Sequence, residues 1–188
     1  MAEKKPVESS SSISRNRLEF LFDGVFAISM TILVLELKVP ELADRHSTAE
    51  MGQMLLHHGR SFLSYILSFF MLGVLWYSHN NYYKYFQQIT KSILCFTLVQ
   101  MATAAFFPFC AALAGRYPTN RLSMVIYLGC IMVYEWCCLI QWLLAKRQSI
   151  LVPRLSPSIY AKLKKGHRNG SIYITSLFLI YLLSMLYG

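Results

Sequence analysis

Residues 17–38 read Arg-Leu-Glu-Phe-Leu-Phe-Asp-Gly-Val-Phe-Ala-Ile-Ser-Met-Thr-Ile-Leu-Val-Leu-Glu-Leu-Lys. As a helix rising 1.5 Å per residue, this run is long enough to cross the roughly 30 Å of hydrocarbon in a bilayer. A carboxylate, Asp23, sits inside its first two turns. An ionised carboxylate at membrane depth is costly, so such a residue faces a protein interior or a water pathway and has a partner.

Four more stretches share this character. With 18–37, residues 61–83, 92–115, 122–145 and 171–187 are apolar and nearly free of charge. Lipid cannot satisfy unpaired backbone groups, and none of the runs alternates with a strand period, so all five are expected as helices. The predicted fold class is all-α, a polytopic membrane bundle of about five transmembrane helices. Composition agrees: the 188-residue chain is 55% hydrophobic and 14% charged, yet its formal net charge is +9. That is the balance of a membrane protein whose basic residues lie in its loops. No basic stretch interleaves with exposed aromatics, so nucleic acid is not an expected partner and membrane lipid is.

Lys and Arg also predict the orientation. Lys4, Lys5, Arg15 and Arg17 precede the first span, Lys84 and Lys91 follow the second, and Lys146, Arg147, Arg154, Lys162, Lys164, Lys165 and Arg168 follow the fourth. The other side receives Lys38, Arg45, Arg60, Arg116 and Arg121, diluted by Glu41, Asp44 and Glu50. The positive-inside rule then puts the amino terminus in the cytoplasm and, after five spans, the carboxyl terminus outside. Residues 1–16, with a Ser9–Ser12 run, read as a flexible polar cytoplasmic tail, without the apolar core or cleavage site of a secretory signal. Residues 17–188 read as one transmembrane domain. Stretch 146–170 reads as a solvated basic loop; its Ile150, Leu151, Leu155, Ile159 and Leu163 also suit a segment lying on the anionic inner leaflet.

Cys95, Cys110, Cys130, Cys137 and Cys138 all fall within predicted spans, odd in number and without zinc spacing, and read as small packing residues. His57 and His58 are adjacent and so point to different faces of a helix, while His46 and His167 fall in predicted loops, so no metal box results. Tyr82, Tyr83 and Tyr187, near span ends, read as interfacial anchors. No nucleophile and base, zincin motif or phosphate-binding glycine loop occurs at informative spacing, which argues against an enzyme.

His79 stands apart. The first span leaves the cytoplasmic side and the second returns to it, so Asp23 lies at the depth of Trp76, His79 and Asn80. An indole or imidazole donor, or Arg17 of the same or a neighbouring chain, makes the carboxylate tolerable there. Arg17, Asp23, Trp76 and His79 are therefore read as a helix-packing network, with ion contact or pH sensing as the alternatives. On the first helix, Leu21, Gly24 or Val25, Ile28, Ile32 and Leu35 follow spacings of three and four along one face, with Thr31 on its flank. Such a stripe suits a packing face, a lipid face or a pore lining.

Arg17, the run Asp23-Gly24-Val25-Phe26-Ala27-Ile28, Thr31 and the aliphatic residues 32–37 resemble the first helix of the bacterial relatives of transmembrane protein 175, the lysosomal potassium channel family. Trp76-Tyr77-Ser78-His79 looks like that family's Trp-x-x-His at the end of helix 2, and Pro108-Phe109 like its Pro-Phe late in helix 3. The chain departs from the pattern in having Leu21-Phe22 where the family has Phe-Ser, Thr97 at an Asn position, and five spans against six. The resemblance implies a homotetramer in which the first helices line a central pore, narrowed by Ile28, Ile32 and Leu35 with the Thr31 hydroxyl between them. Rings of four such side chains gate by dewetting, and no TVGYG-type carbonyl filter occurs. Glu36 then lies near the outer mouth, either raising local cation concentration or satisfied by Lys38 or water. The expected function is a potassium-permeable cation channel of the bacterial inner membrane, with potassium as permeant ion and no cofactor. A proton leak through Asp23 and His79, and a non-conducting structural or regulatory protein, are the alternatives.

Overall fold

The computed structural model describes residues 14–44, 46–153 and 155–187; of the tail expected at 1–16, residues 1–13 lie outside them, and Ser14 to Asn16 cap and open the first helix. Among the described residues the chain is almost wholly helical: α1 Arg15–Ile32, continued by a 3-10 turn Leu33–Glu36, α2 Thr48–His57, α3 Gly59–Tyr83, α4 Lys91–Arg116, α5 Arg121–Arg147 and α6 Pro157–Tyr187. Five of these, all but α2, are long and apolar enough to cross a membrane.

Side-chain caps explain where the helices begin. Ser14, Ser47 and Thr90 accept hydrogen bonds from the amides of Arg17, Glu50 and Ile93, and Asn120 accepts from Leu122 and Ser123. Each satisfies a first-turn donor that the helix leaves unpaired. Pro157 opens α6 at the position where its missing amide hydrogen costs nothing. Successive spans run antiparallel. The Arg15 guanidinium donates to the Phe86 carbonyl at 2.8 Å, joining the start of α1 to the end of α3. At the other end Ser64 Oγ donates to Ala111 O at 3.2 Å, and Arg121 donates to Ser184 O.

α4 is the central helix, packed against α1, α3 and α5, while α6 lies on α5. The core is aromatic and aliphatic: Phe22 and Phe26 of α1, Leu72, Tyr82 and Tyr83 of α3, Ile93 and Phe107 of α4, Tyr134 and Trp142 of α5. The four cysteines Cys110, Cys130, Cys137 and Cys138 are buried unbridged among these residues, and Cys95 is exposed.

Several expectations are corrected. The last helix begins at Pro157, not 171. Lys162, Lys164, Lys165 and Arg168 are exposed, so they end the apolar run without ending the helix. His167, expected in a loop, lies on α6 and is buried, its ring edge-on to Tyr82 at 5.0 Å. The remaining loop is stitched to the turn after α3: Gln87 N donates to Ile150 O at 2.8 Å and Val152 N to Tyr85 O at 2.9 Å. Ile150 is buried, and Leu151, Leu155 and Leu163 pack on the core, so these side chains serve the protein interior and not a leaflet surface. Tyr82, packed on Trp142 and His167, and Tyr83, packed on His79 and Phe86, are buried too, so they are core residues and not interfacial anchors. In the segment between α1 and α3, read only as a loop, residues 48–57 form α2, which buries no side chain. There Glu50 accepts from the amides of Ala43 and Asp44 at 2.9 and 3.1 Å, which holds its carboxyl below the usual carboxylate range.

Candidate ion pathway

α1 has two unlike faces. Leu18, Phe22, Phe26, Ser29 and Leu33, spaced by three and four, are buried against the bundle. The opposite stripe is open: Ile28 is 60% exposed, Ile32 42% and Leu35 73%, with Leu21, Gly24 and Thr31 also exposed. Nothing lies within 4 Å of where a Cβ on Gly24 would stand, so the stripe is free at that level too. The helix holds its hydroxyls close to its own backbone, Ser29 donating to Val25 O and Thr31 to Ile28 O, both at 2.8 Å. Thr31 Oγ1 thus keeps its lone pairs free on an otherwise aliphatic surface, where an oxygen can stand in for part of a cation's hydration shell. Glu36 ends the 3-10 turn beyond Leu35.

The structure brings Asp23 and Trp76 together: Trp76 Nε1 donates to Asp23 Oδ1 at 2.8 Å, tying α1 to α3. His79 is not at that carboxylate. Its ring is 1% exposed and sandwiched between Phe22, at 3.7 Å between centroids, and Tyr83, at 4.4 Å. Its Nδ1 lies 3.3 Å from the Tyr82 hydroxyl. Arg17 is exposed, and among the described residues its side chain makes no hydrogen bond or ion pair. At 100° per residue Arg17 falls on the side of Leu21 and Ile28, at the start of the open stripe. The arginine that ties α1 to the bundle is Arg15, paired with Glu19 at 2.8 Å and donating to Phe86 O. The spacing of four between Arg15 and Glu19 signals their pairing, but nothing local signals the Phe86 carbonyl.

Behind α1, a polar cluster that the sequence reading did not single out crosses the core. Tyr82 OH donates to Gln141 Oε1 at 2.5 Å, and Gln141 Nε2 donates to Thr97 Oγ1 at 2.8 Å and Ile93 O at 3.1 Å. Gln100 Nε2 reaches Tyr82 OH at 3.1 Å and Cys138 Sγ at 3.0 Å. Two glutamines inside apolar spans are the signal for it, since buried amides need partners. Further along α5, Glu135 lies 3.9 Å from His167 Nδ1 of α6. Among the described residues no group of three or more His, Cys, Asp or Glu is placed to hold a metal. The clusters therefore join helices, whereas the open stripe of α1 is not covered by any other described part of the chain.

Comparison with known proteins agrees in fold. A sequence model of the family described as endosomal/lysosomal potassium channel TMEM175 matches residues 17–108. A Streptomyces collinus protein named as a potassium channel is 30% identical over 101 residues, 54% of this chain and 48% of that protein. A Chamaesiphon minutus protein, also named as a potassium channel, is 30% identical over 129 residues, 65% of this chain and 62% of that protein. The chain thus spans between about half and two thirds of the length of these two relatives. The crystal structure of a potassium-selective TMEM175 homologue from Chamaesiphon minutus superposes with a TM-score of 0.74 at 24% identity, over 90% of this chain and 87% of that one. The shared architecture and the match over the segment carrying α1, Trp76 and Pro108 lead to one assignment: the chain is a multi-pass membrane protein with the fold of that homologue, and its residues 17–108 are similar to the TMEM175 family.

Proposed function

We propose that the chain is one subunit of a homotetrameric, potassium-permeable cation channel of the bacterial inner membrane, its amino terminus in the cytoplasm and its pore lined by α1. One observation carries the proposal: α1 spends one face on the subunit core and leaves Ile28, Ile32 and Leu35 open on the other, with Thr31 beside them. Four copies meeting on an axis cover that face and form aliphatic rings, which exclude water until they widen. Asp23, held by Trp76, and His79, held by Phe22 and Tyr83, keep α1 seated on the subunit while its outer stripe faces the axis. The potassium-channel names of the bacterial relatives support potassium as the ion.

The test is flux into liposomes holding the purified chain, with potassium replaced in parallel by sodium or N-methylglucamine and with empty liposomes as control. Potassium flux above sodium flux is expected. Ile28→Asn and Ile32→Asn are expected to raise flux several-fold by wetting the constriction; flux unchanged in both rules out the pore assignment. Opposed potassium and proton gradients separate the proton alternative, since a reversal potential that follows pH alone rejects potassium as the carrier of current.

A further inference from the structure

The charge pattern places few basic residues at the end of the bundle where α1 finishes, and the structure gathers three of them around one hollow. Lys38, Arg60 and Arg116, far apart in the chain, line a cavity of about 400 Å³ between the end of α1, the α2–α3 junction and the end of α4. Glu36 is the one carboxylate in the lining, so fixed charge stands at three cations against one anion. Among the described residues none of the three cations makes a salt bridge or a side-chain hydrogen bond. His57 and His58 add imidazoles to the wall, and Ser61 and Tyr65 add hydroxyls.

We infer that this cavity is a binding site for a phosphate-bearing anion. Like charges crowded beside low-dielectric protein repel, and a multivalent anion removes that repulsion at every cation it touches. The two guanidiniums match tetrahedral oxyanions through paired N–H donors, while Lys38 serves as a point charge. α3 starts here at Gly59 without a side-chain cap, but α2 ends beside it at His57, so the positive end of α3 is offset by the carbonyl end of α2 and the attraction comes from the side chains. The carbonyl end of α4 works in the opposite direction, and Arg116 in its last turn offsets it. The back wall is firm: a Cβ on Gly115 would stand 2.7 Å from Ser64 Oγ, so α3 and α4 are in close contact beneath the site. The cavity lies at a span end, so both a lipid phosphate headgroup and free phosphate have access to it. Binding does not depend on whether the chain conducts.

Isothermal titration of the purified full chain in detergent tests the site and distinguishes its sources. One arm uses inorganic phosphate at fixed ionic strength; the other uses dihexanoyl phosphatidylglycerol below its micelle concentration, with dihexanoyl phosphatidylcholine as control. Saturable binding of one anion per chain is expected in at least one arm: phosphate binding identifies a soluble ligand, and binding of the glycerol lipid alone identifies a headgroup. The pair Arg60→Gln with Arg116→Gln is expected to weaken binding at least tenfold, while Lys162→Gln with Lys165→Gln, in the first turns of α6, leaves it unchanged. If the first pair does not elute as the parent protein does, Lys38→Gln and Arg60→Gln made singly are each expected to weaken binding at least threefold. No saturable binding in either arm, or binding lost with the α6 lysines and not with the cavity residues, overturns the assignment.

Discussion

Tyr82 shows how one side chain decides the cost of polar chemistry inside this bundle. Its hydroxyl donates to Gln141 and accepts from Gln100, and Gln141 passes the chain of bonds on to Thr97 and the Ile93 carbonyl. Gln100 Oε1 already lacks a donor among the described residues, so the cluster has no spare donor to replace the tyrosine hydroxyl. Tyr82→Phe keeps the ring and removes the hydroxyl, leaving a buried carbonyl oxygen and a buried amide hydrogen unpaired. A lost buried partner costs about 1–3 kcal/mol in water-soluble proteins and less between membrane helices, so about 1–2 kcal/mol is expected here. Thermal unfolding in detergent measures it; an unchanged midpoint would mean that the two glutamines re-pair without the tyrosine. Asp23 is a residue of the opposite kind, exposed and held by a single indole at 2.8 Å, so it orients α1 at little desolvation cost.

Among the elements, α1 was the most legible in the sequence, because its signal is local: one aliphatic stripe at helical spacing, and a carboxylate whose depth matches Trp76 once α1 and α3 run antiparallel; the buried stripe from Leu18 to Leu33 came only with the structure. The choice of Arg15 over Arg17 as the tie to the bundle was not legible, since it depends on where the Phe86 carbonyl arrives after α3. The length of α6 was hidden for a different reason. An apolar window measures how much of a helix is out of water, whereas Lys162 and Lys165 stay exposed on a helix that simply continues past the membrane. Burial of Tyr82 and His167 was hidden because it comes from residues far apart in the chain, Tyr82 packing on Gln100 of α4, Trp142 of α5 and His167 of α6. The α3–α4 contact has its own test. A Cβ at position 115 would meet Ser64 Oγ at 2.7 Å and Ser64 Cβ at 2.9 Å, and a Cβ cannot swing away as the end of a long side chain does. Gly115→Ala is therefore expected to cost about 1–3 kcal/mol by overpacking, read as a lower unfolding midpoint. Ser64→Gly in the same chain removes both clashing atoms and is expected to recover part of the loss. Recovery by Ser64→Gly is the specific sign of this contact; a Gly115→Ala protein as stable as the parent would show that the helices separate freely.

For the whole molecule, the question is what covers the open stripe of α1. Exposed apolar side chains also line the outer helices, where lipid is an adequate solvent, so exposure alone does not distinguish a subunit contact from a lipid face. Position does. α6 packs on α5, at the far side of the subunit from α1, and its Ile180 is 61% exposed, a level close to that of Ile28. The tetramer proposal therefore makes opposite predictions for two similar aliphatic positions. With the exposed Cys95 replaced by serine, the remaining native cysteines are buried and Ile28→Cys supplies the reactive thiol. On an axis shared by four α1 helices, mild oxidation of Ile28→Cys is expected to give covalent dimers, and to stop there because each thiol can join only one other. Ile180→Cys, facing lipid, is expected to stay monomeric under the same oxidant. Native mass measurement of the unoxidised protein is expected to report four chains, so the covalent pair and the assembled mass test the axis independently. Dimers from Ile180→Cys with none from Ile28→Cys would turn the subunit around, put α6 at the interface, and leave the α1 stripe as a lipid-facing surface.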